Sequence, residues 1–285
     1  MSGNKKEPRI IWEKLGDLDY RWLYGLSIIL MVIPIIQPIG LPTQVGEATK
    51  GFYNAIVNLP PGSVVCVLFS GSAGYADEQE AGFVATWKVL FEHNLKVIFV
   101  STAVDSEIIL NNELGKMVNP ESYGKKYGID YVRLGYAPLD EVGQASFAQN
   151  IRGIFAKDVY GTPLDEIPLM KDINNYQKID LLYFQYLSCT DIEWVIRQWV
   201  VPYGTKAIVS CTTACGPMAA PYYPKQIQGF IAGSGQGTEL EILSKNPGRG
   251  AVLSDSKNFG ILGLLLFIVF GNISYFGKKF GKRGE

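Results

Sequence analysis

The chain is 285 residues long, 47% hydrophobic and 19% charged, with a formal net charge of -1. That composition excludes an intrinsically disordered chain, and the length allows one sizeable domain with accessory segments. A charge so close to zero gives no whole-chain argument for nucleic-acid binding.

Residues 1–21 form a polar tail with five basic residues (Lys5, Lys6, Arg9, Lys14, Arg21). Residues 22–40, "WLYGLSIILMVIPIIQPIG", carry no charge, and neither do residues 259–276, "FGILGLLLFIVFGNISYF". A helix crosses a bilayer with about 20 apolar residues, so both blocks are expected to be transmembrane helices partnered by lipid. The long polar stretch ahead of the first block, with no small-x-small site after it, favours an anchor over a cleaved signal peptide.

The tail 277–285 adds four basic residues (Lys278, Lys279, Lys282, Arg283), whereas 41–58 holds only Lys50. This asymmetry predicts cytoplasmic termini, with residues 41–258 outside the cytoplasmic membrane. The tails and the first block take nine of the 26 basic and five of the 27 acidic residues, leaving the exterior domain 17 and 22. A domain of net charge -5 fits no nucleic acid.

Between the anchors, apolar runs alternate with amphipathic ones. "SVVCVLFS" (63–70) reads as a buried strand, and 76–94 as a helix with apolar positions at 83, 84, 87, 90 and 91. A strand over 95–102, a helix near 105–127 and a short strand at 130–136 follow. After an irregular stretch come a strand at 178–188, a helix at 191–200 and a last strand at 205–213. Strands apolar throughout and separated by helices indicate a parallel sheet covered on both faces. The expected fold is a Rossmann-like three-layer α/β domain of about five strands.

In such sheets ligands lie beyond the carboxyl ends of the strands. Ser70, Gly71, Ser72 and Gly74 lead into a helix start there, and Thr212 and Thr213 end the last strand, so these six are the candidate small-ligand residues. The glycine spacing is neither a dinucleotide fingerprint nor a P-loop, and Asp77, Glu78 and Glu80 in the helix's first turn oppose phosphate. No cofactor is implied. The single histidine, His93, reads as structural, and no catalytic set can be built around it. The "PLDE" segments at 138–141 and 163–166 read as helix starts or turns.

Cys66, Cys189, Cys211 and Cys215 are the only cysteines. Free buried thiols, one disulfide between Cys211 and Cys215, and a thiol cluster with Cys189 all fit their placement, although a zinc site would want a fourth ligand. Gly229, Gly233 and Gly237, four apart after Pro224, read as one face of a helix against which another backbone packs closely. That partner is either the domain's own sheet or a neighbouring subunit.

The segments "YGTPLDEIPLMKDINNYQKIDLL" (160–182) and "APYYPKQIQGFIAGSGQGTELEIL" (220–243), with "YGKKYGIDYVRLGY" (123–136) and "LPPGSVV" (59–65), resemble a family of uncharacterised prokaryotic membrane proteins. Lys225 stands where that family has a small residue, and "GQGTELE" replaces a more alanine-rich ending. The resemblance implies two transmembrane helices and a Rossmann-like extracytoplasmic domain, and it implies no activity. The expectation is a structural subunit of a homo-oligomer or a complex with other membrane proteins. A binding or sensory module is the alternative.

Overall fold

The structure, a computed structural model, describes residues 20–37, 44–246 and 248–281. The chain divides into two compact units, one from residues 42–250 and one from the two terminal segments.

The larger unit is built on six parallel strands: β1 (Val64–Phe69), β2 (Lys96–Ser101), β3 (Tyr131–Tyr136), β4 (Leu181–Gln185), β5 (Ala207–Cys211) and β6 (Gly229–Ala232). They lie in the order β3-β2-β1-β4-β5-β6. Five of these were legible as apolar runs; the sixth was not. Alternate residues of each strand face opposite ways, and both faces are dry. Val65, Val67, Phe69, Phe99, Tyr183 and Ile231 enter one core with Phe83, Trp87 and Leu240. Cys66, Leu68, Ile98, Phe184, Val209 and Phe230 enter the other with Phe147, Val195 and Trp199.

The first core is covered by helices α2 (Glu47–Val57), α3 (Ala76–Glu92), α4 (Ser106–Glu113) and α7 (Gly233–Ser244). The second lies under α5 (Glu141–Gln149) and the helical stretch that begins with α6 (Ile192–Val195). The long helix expected over 105–127 is interrupted: α4 gives way to a wide π turn at Leu114–Val118, which ends on Asn119 at φ 49°. The first "PLDE" is a true helix start, since Asp140 Oδ1 accepts from the Gly143 N–H at 2.8 Å. The second is a single 3₁₀ turn whose Asp165 pairs with Arg152 at 2.9 Å.

The glycine stripe is corrected. No helix runs from Pro224 through Gly237. A turn at Pro224 leads instead into β6, and α7 begins only at Gly233. The reason is local packing. Gly229 lies in the sheet, where a Cβ would collide with the Phe52 amide nitrogen of α2. Gly233 has φ 69°, the left-handed geometry at which strand becomes helix, and a Cβ there would strike the Thr213 hydroxyl. Gly237 does pack on a helix, with its missing Cβ 2.7 Å from the Gly82 nitrogen of α3. All three serve contacts inside this unit. Glu239 of α7 closes the seam by accepting from the Thr49 hydroxyl at 2.6 Å and the Gly46 N–H at 2.9 Å.

The smaller unit holds two apolar helices, α1 (Tyr20–Ile36) and the helix from Ala251 into the C-terminal tail, which is continuous as α8 (Arg249–Gly281). Ser256 Oγ donates to the Met31 carbonyl at 2.7 Å, and Gly260 and Gly263 leave room for Met31 and Leu30. Residues 249–276 are long and apolar enough to cross a membrane, and an 18-residue window within them has a mean hydropathy of 2.1. Leu264, Leu265, Ile268 and Val269 are each at least half exposed. Helix α8 thus starts ten residues before the apolar block at 259. Helix α1 has 17 residues and is the shorter of the two; the remainder of the expected 22–40 span, from Pro38, lies outside the described residues.

Two glycine substitutions in α7 have opposite expected signs. Gly237→Ala drives a methyl into the Gly82 backbone and should cost about 2–3 kcal/mol. Gly235→Ala meets nothing within 4 Å and should gain about 0.5–1 kcal/mol of helix propensity. Thermal unfolding of the two variants beside the parent checks both signs.

Candidate functional site

The carboxyl ends of all six parallel strands meet at one end of the sheet, with the reversal of strand order between β1 and β4 at its centre. There Gln185, the last residue of β4, donates to Gln79 Oε1 at 2.9 Å, and Gln79 donates to the Tyr186 carbonyl at 3.2 Å. Both amides are buried, and together they tie α3 to β4. Gln185 Oε1 is buried without a hydrogen-bond partner, and the Tyr186 hydroxyl is buried beside the Cys211 thiol.

The six candidate ligand residues come to this end in two loops. Ser70 donates its N–H to the Gln185 carbonyl at 3.1 Å. Gly71 is buried, and its N–H is taken by the Ser106 hydroxyl at 2.7 Å, which returns a bond to the Gly71 carbonyl at 3.2 Å. The Ser72 carbonyl accepts the Tyr75 N–H at 3.0 Å, while Gly74 is exposed with open space around it. In the second loop, Thr212 is buried, with its hydroxyl on the Cys215 sulfur at 3.3 Å. The Thr213 N–H donates to Glu78 Oε1 at 2.6 Å.

The Glu78 contact decides the electrostatics. Glu78 sits in the first turn of α3, where an anionic ligand would use the helix's positive end. A protein carboxylate already stands there and holds the opposite loop by a charge-assisted bond. An incoming phosphate would meet the Glu78 carboxylate at close range. The arrangement is built to fix two loops to one helix, and it disfavours an anion.

The cysteine expectation is also corrected. The disulfide joins Cys189 to Cys215, with Cα atoms 4.7 Å apart, and Cys211 is free. The strand register supplies the reason. Cys189 lies four residues beyond the end of β4 and Cys215 four beyond the end of the adjacent β5, so the two loops leave the sheet side by side. Cys211 is still in the strand with its side chain in the core. Burial pushes its thiol up to about 11, which the neighbouring Tyr186 hydroxyl offsets and the Glu78 charge reinforces. Burial also raises the Tyr186 phenol. In the chain-entropy picture a closed loop with a separation of 26 residues is worth about 3–4 kcal/mol.

Sequence reasoning missed Glu78 as a tether, the Gln79–Gln185 pair and the partner of Cys215. The only available signal was for the last: equal spacing of Cys189 and Cys215 from the ends of consecutive strands. Among the described residues, no three His, Cys, Asp or Glu side chains gather as a metal group.

Alkylation checks the pairing. Unfolded without reductant, the chain should take label on Cys66 and Cys211 alone, and peptide mapping should recover Cys189 linked to Cys215. In the folded protein at pH 8 both free thiols should stay unlabelled, because each is buried and held protonated. Recovery of a Cys211–Cys215 peptide would overturn the assignment. No protein-family model, curated protein or solved structure matches this chain.

Proposed function

We propose that the chain is a non-enzymatic structural subunit of a membrane-anchored oligomer or multi-protein complex, with a Rossmann-like α/β domain displayed outside the cytoplasmic membrane. The observation that carries this reading is the surface at the carboxyl end of the sheet. Tyr75, Val104, Ile108 and Met218 all follow the ends of strands and are 43–73% exposed. Exposed apolar side chains of this kind, where they form a patch, mark sites of contact with another protein. The backbone groups that a small anion would use at that end are engaged by Ser106 and Glu78.

Three further features support the setting. Helix α8 exposes leucine and isoleucine side chains along a span long enough for a bilayer, and lipid is the solvent that suits them. Basic residues flank the apolar segments on their terminal sides. A disulfide between two loops suits an oxidising compartment. Under this reading both helices span the membrane, the termini are cytoplasmic, and the kinship is with the two-helix membrane family named above.

The second reading is a small-ligand or sensory module at the same end of the sheet. Its support is Gln185 Oε1, a buried acceptor without a hydrogen-bond partner.

Mass photometry of the intact chain in mild detergent or nanodiscs tests the leading reading. The expected result is a mass at least twice that of one chain plus its lipid or detergent, or co-purified partners. Val104→Glu with Ile108→Glu should lower that mass without altering the thermal unfolding of the domain. A monomer under all conditions would remove the proposal.

A further inference from the structure

A cavity of about 260 Å³ opens beside β3, away from the loops described above. Its walls are aromatic and its polar groups are incompletely used. The rings of Tyr131 and Tyr160 stand at 88° and 80° to the ring of Tyr127, with centroids 5.3 Å and 4.9 Å away. Asp158 holds two of these in place: Oδ2 accepts from the Tyr127 hydroxyl at 2.8 Å, and Oδ1 accepts from the Tyr160 N–H at 2.9 Å. Burial, with this hydrogen bond and charge, raises the Tyr127 phenol, so it is a neutral donor at physiological pH.

Arg133, on β3, reaches into the cavity. Its Nε donates to Glu107 Oε1 at 3.0 Å, one Nη also pairs with Glu107, and the other donates to Asn111 Oδ1 at 2.6 Å. A guanidinium has five N–H donors, so two remain beyond these three bonds. The amide nitrogen of Asn111 and the carboxylate of Glu121, both at the cavity wall, form no hydrogen bond or ion pair within the described residues. Donors and an acceptor thus line a space whose flat walls are tyrosine rings.

We propose that this cavity binds one sugar unit of a neutral carbohydrate. Charge argues against the other small ligands. Glu107 neutralises Arg133, so an anion gains little attraction there and meets Glu107 and Glu121 as well. A quaternary ammonium wants a bare aromatic face, but the guanidinium of Arg133 already lies 5.9 Å from the centre of the Tyr160 ring. A sugar needs neither charge. Its hydroxyls donate and accept, which matches the spare N–H groups of Arg133 and Asn111 and the carboxylate of Glu121. Its C–H face suits the negative face of a tyrosine ring. The volume lies just under the roughly 300 Å³ at which pockets for drug-sized ligands begin, a size for a single ring. The Tyr127 ring and the Tyr160 backbone are held by Asp158 before any ligand arrives, which lowers the ordering cost of binding.

The test uses the intact chain in lipid nanodiscs, free of glycosidic detergent. Saturation-transfer NMR with glucose, mannose, galactose and N-acetylglucosamine, beside choline and glutamate, reads which class binds. The expected result is transfer to at least one of the four sugars, with binding weakened about tenfold in Tyr160→Ala and in Asn111→Ala. Tyr160 is 68% exposed and Asn111 is at the surface, so both variants should fold, as unchanged thermal unfolding would verify. Silence from all four sugars, binding unchanged in both variants, or transfer to choline or glutamate alone would each overturn the proposal.

Discussion

A parallel sheet six strands wide has no face it can leave in water. The central strands are apolar on both sides, and Trp87, Trp199, Tyr183 and Tyr186 are fully buried against the sheet. Burial of one large side chain is worth about 1.5–3 kcal/mol, so the cores dominate the stability of this unit. Helices must therefore cover both faces closely. On one face that closeness is obtained by removing side chains: Gly82 meets Gly237, and Gly229 admits the backbone of α2. Loss of helix propensity at Gly237 is offset by the van der Waals contact it permits. The sixth strand, the turn at Gly233 and the fit of α7 all follow from this one packing demand.

The same geometry governs the chemistry at the carboxyl end of the sheet. Parallel strands deliver all their outgoing loops to one place, which in many α/β proteins becomes a ligand site. In this chain the loops are tied to each other instead. Glu78 anchors the loop after β5, Ser106 anchors the loop after β1, and the Cys189–Cys215 disulfide joins the loops after β4 and β5. Loops fixed in this way present a firm surface. Under the proposed role, such a surface would suit a protein partner, since little ordering entropy is then lost on association.

Much of this was legible from residue order alone, for definite reasons. Runs such as "SVVCVLFS" and "LKVIFVST" are too short for helices and carry unbroken apolar stretches at 64–69 and 97–100, the pattern of a doubly covered strand. The 76–94 helix showed its buried face through its spacing. The failures also have causes. Strand β6 is four residues long and glycine-bounded, and its regular glycine spacing imitated a helix face; only the approach of Phe52 and Ala48 reveals why glycine stands at 229. Helix α2 has no apolar run to announce it. The Cys215 partner depended on which strands are neighbours, a property of the sheet and not of the local sequence. At the candidate site, the residue types were readable but not the fact that Glu78 already engages their backbone.

The wider account rests on α8 lying in lipid and carrying the α/β unit on the outer side. Gly74 is exposed in a loop with open space around it, and the free cysteines are buried, so a cysteine placed there is a clean reporter. A membrane-impermeant maleimide applied to intact cells should label Gly74→Cys at once and leave Gly3→Cys, in the N-terminal tail, unlabelled until the membrane is opened. Labelling of Gly74→Cys only after the membrane is opened would contradict the account.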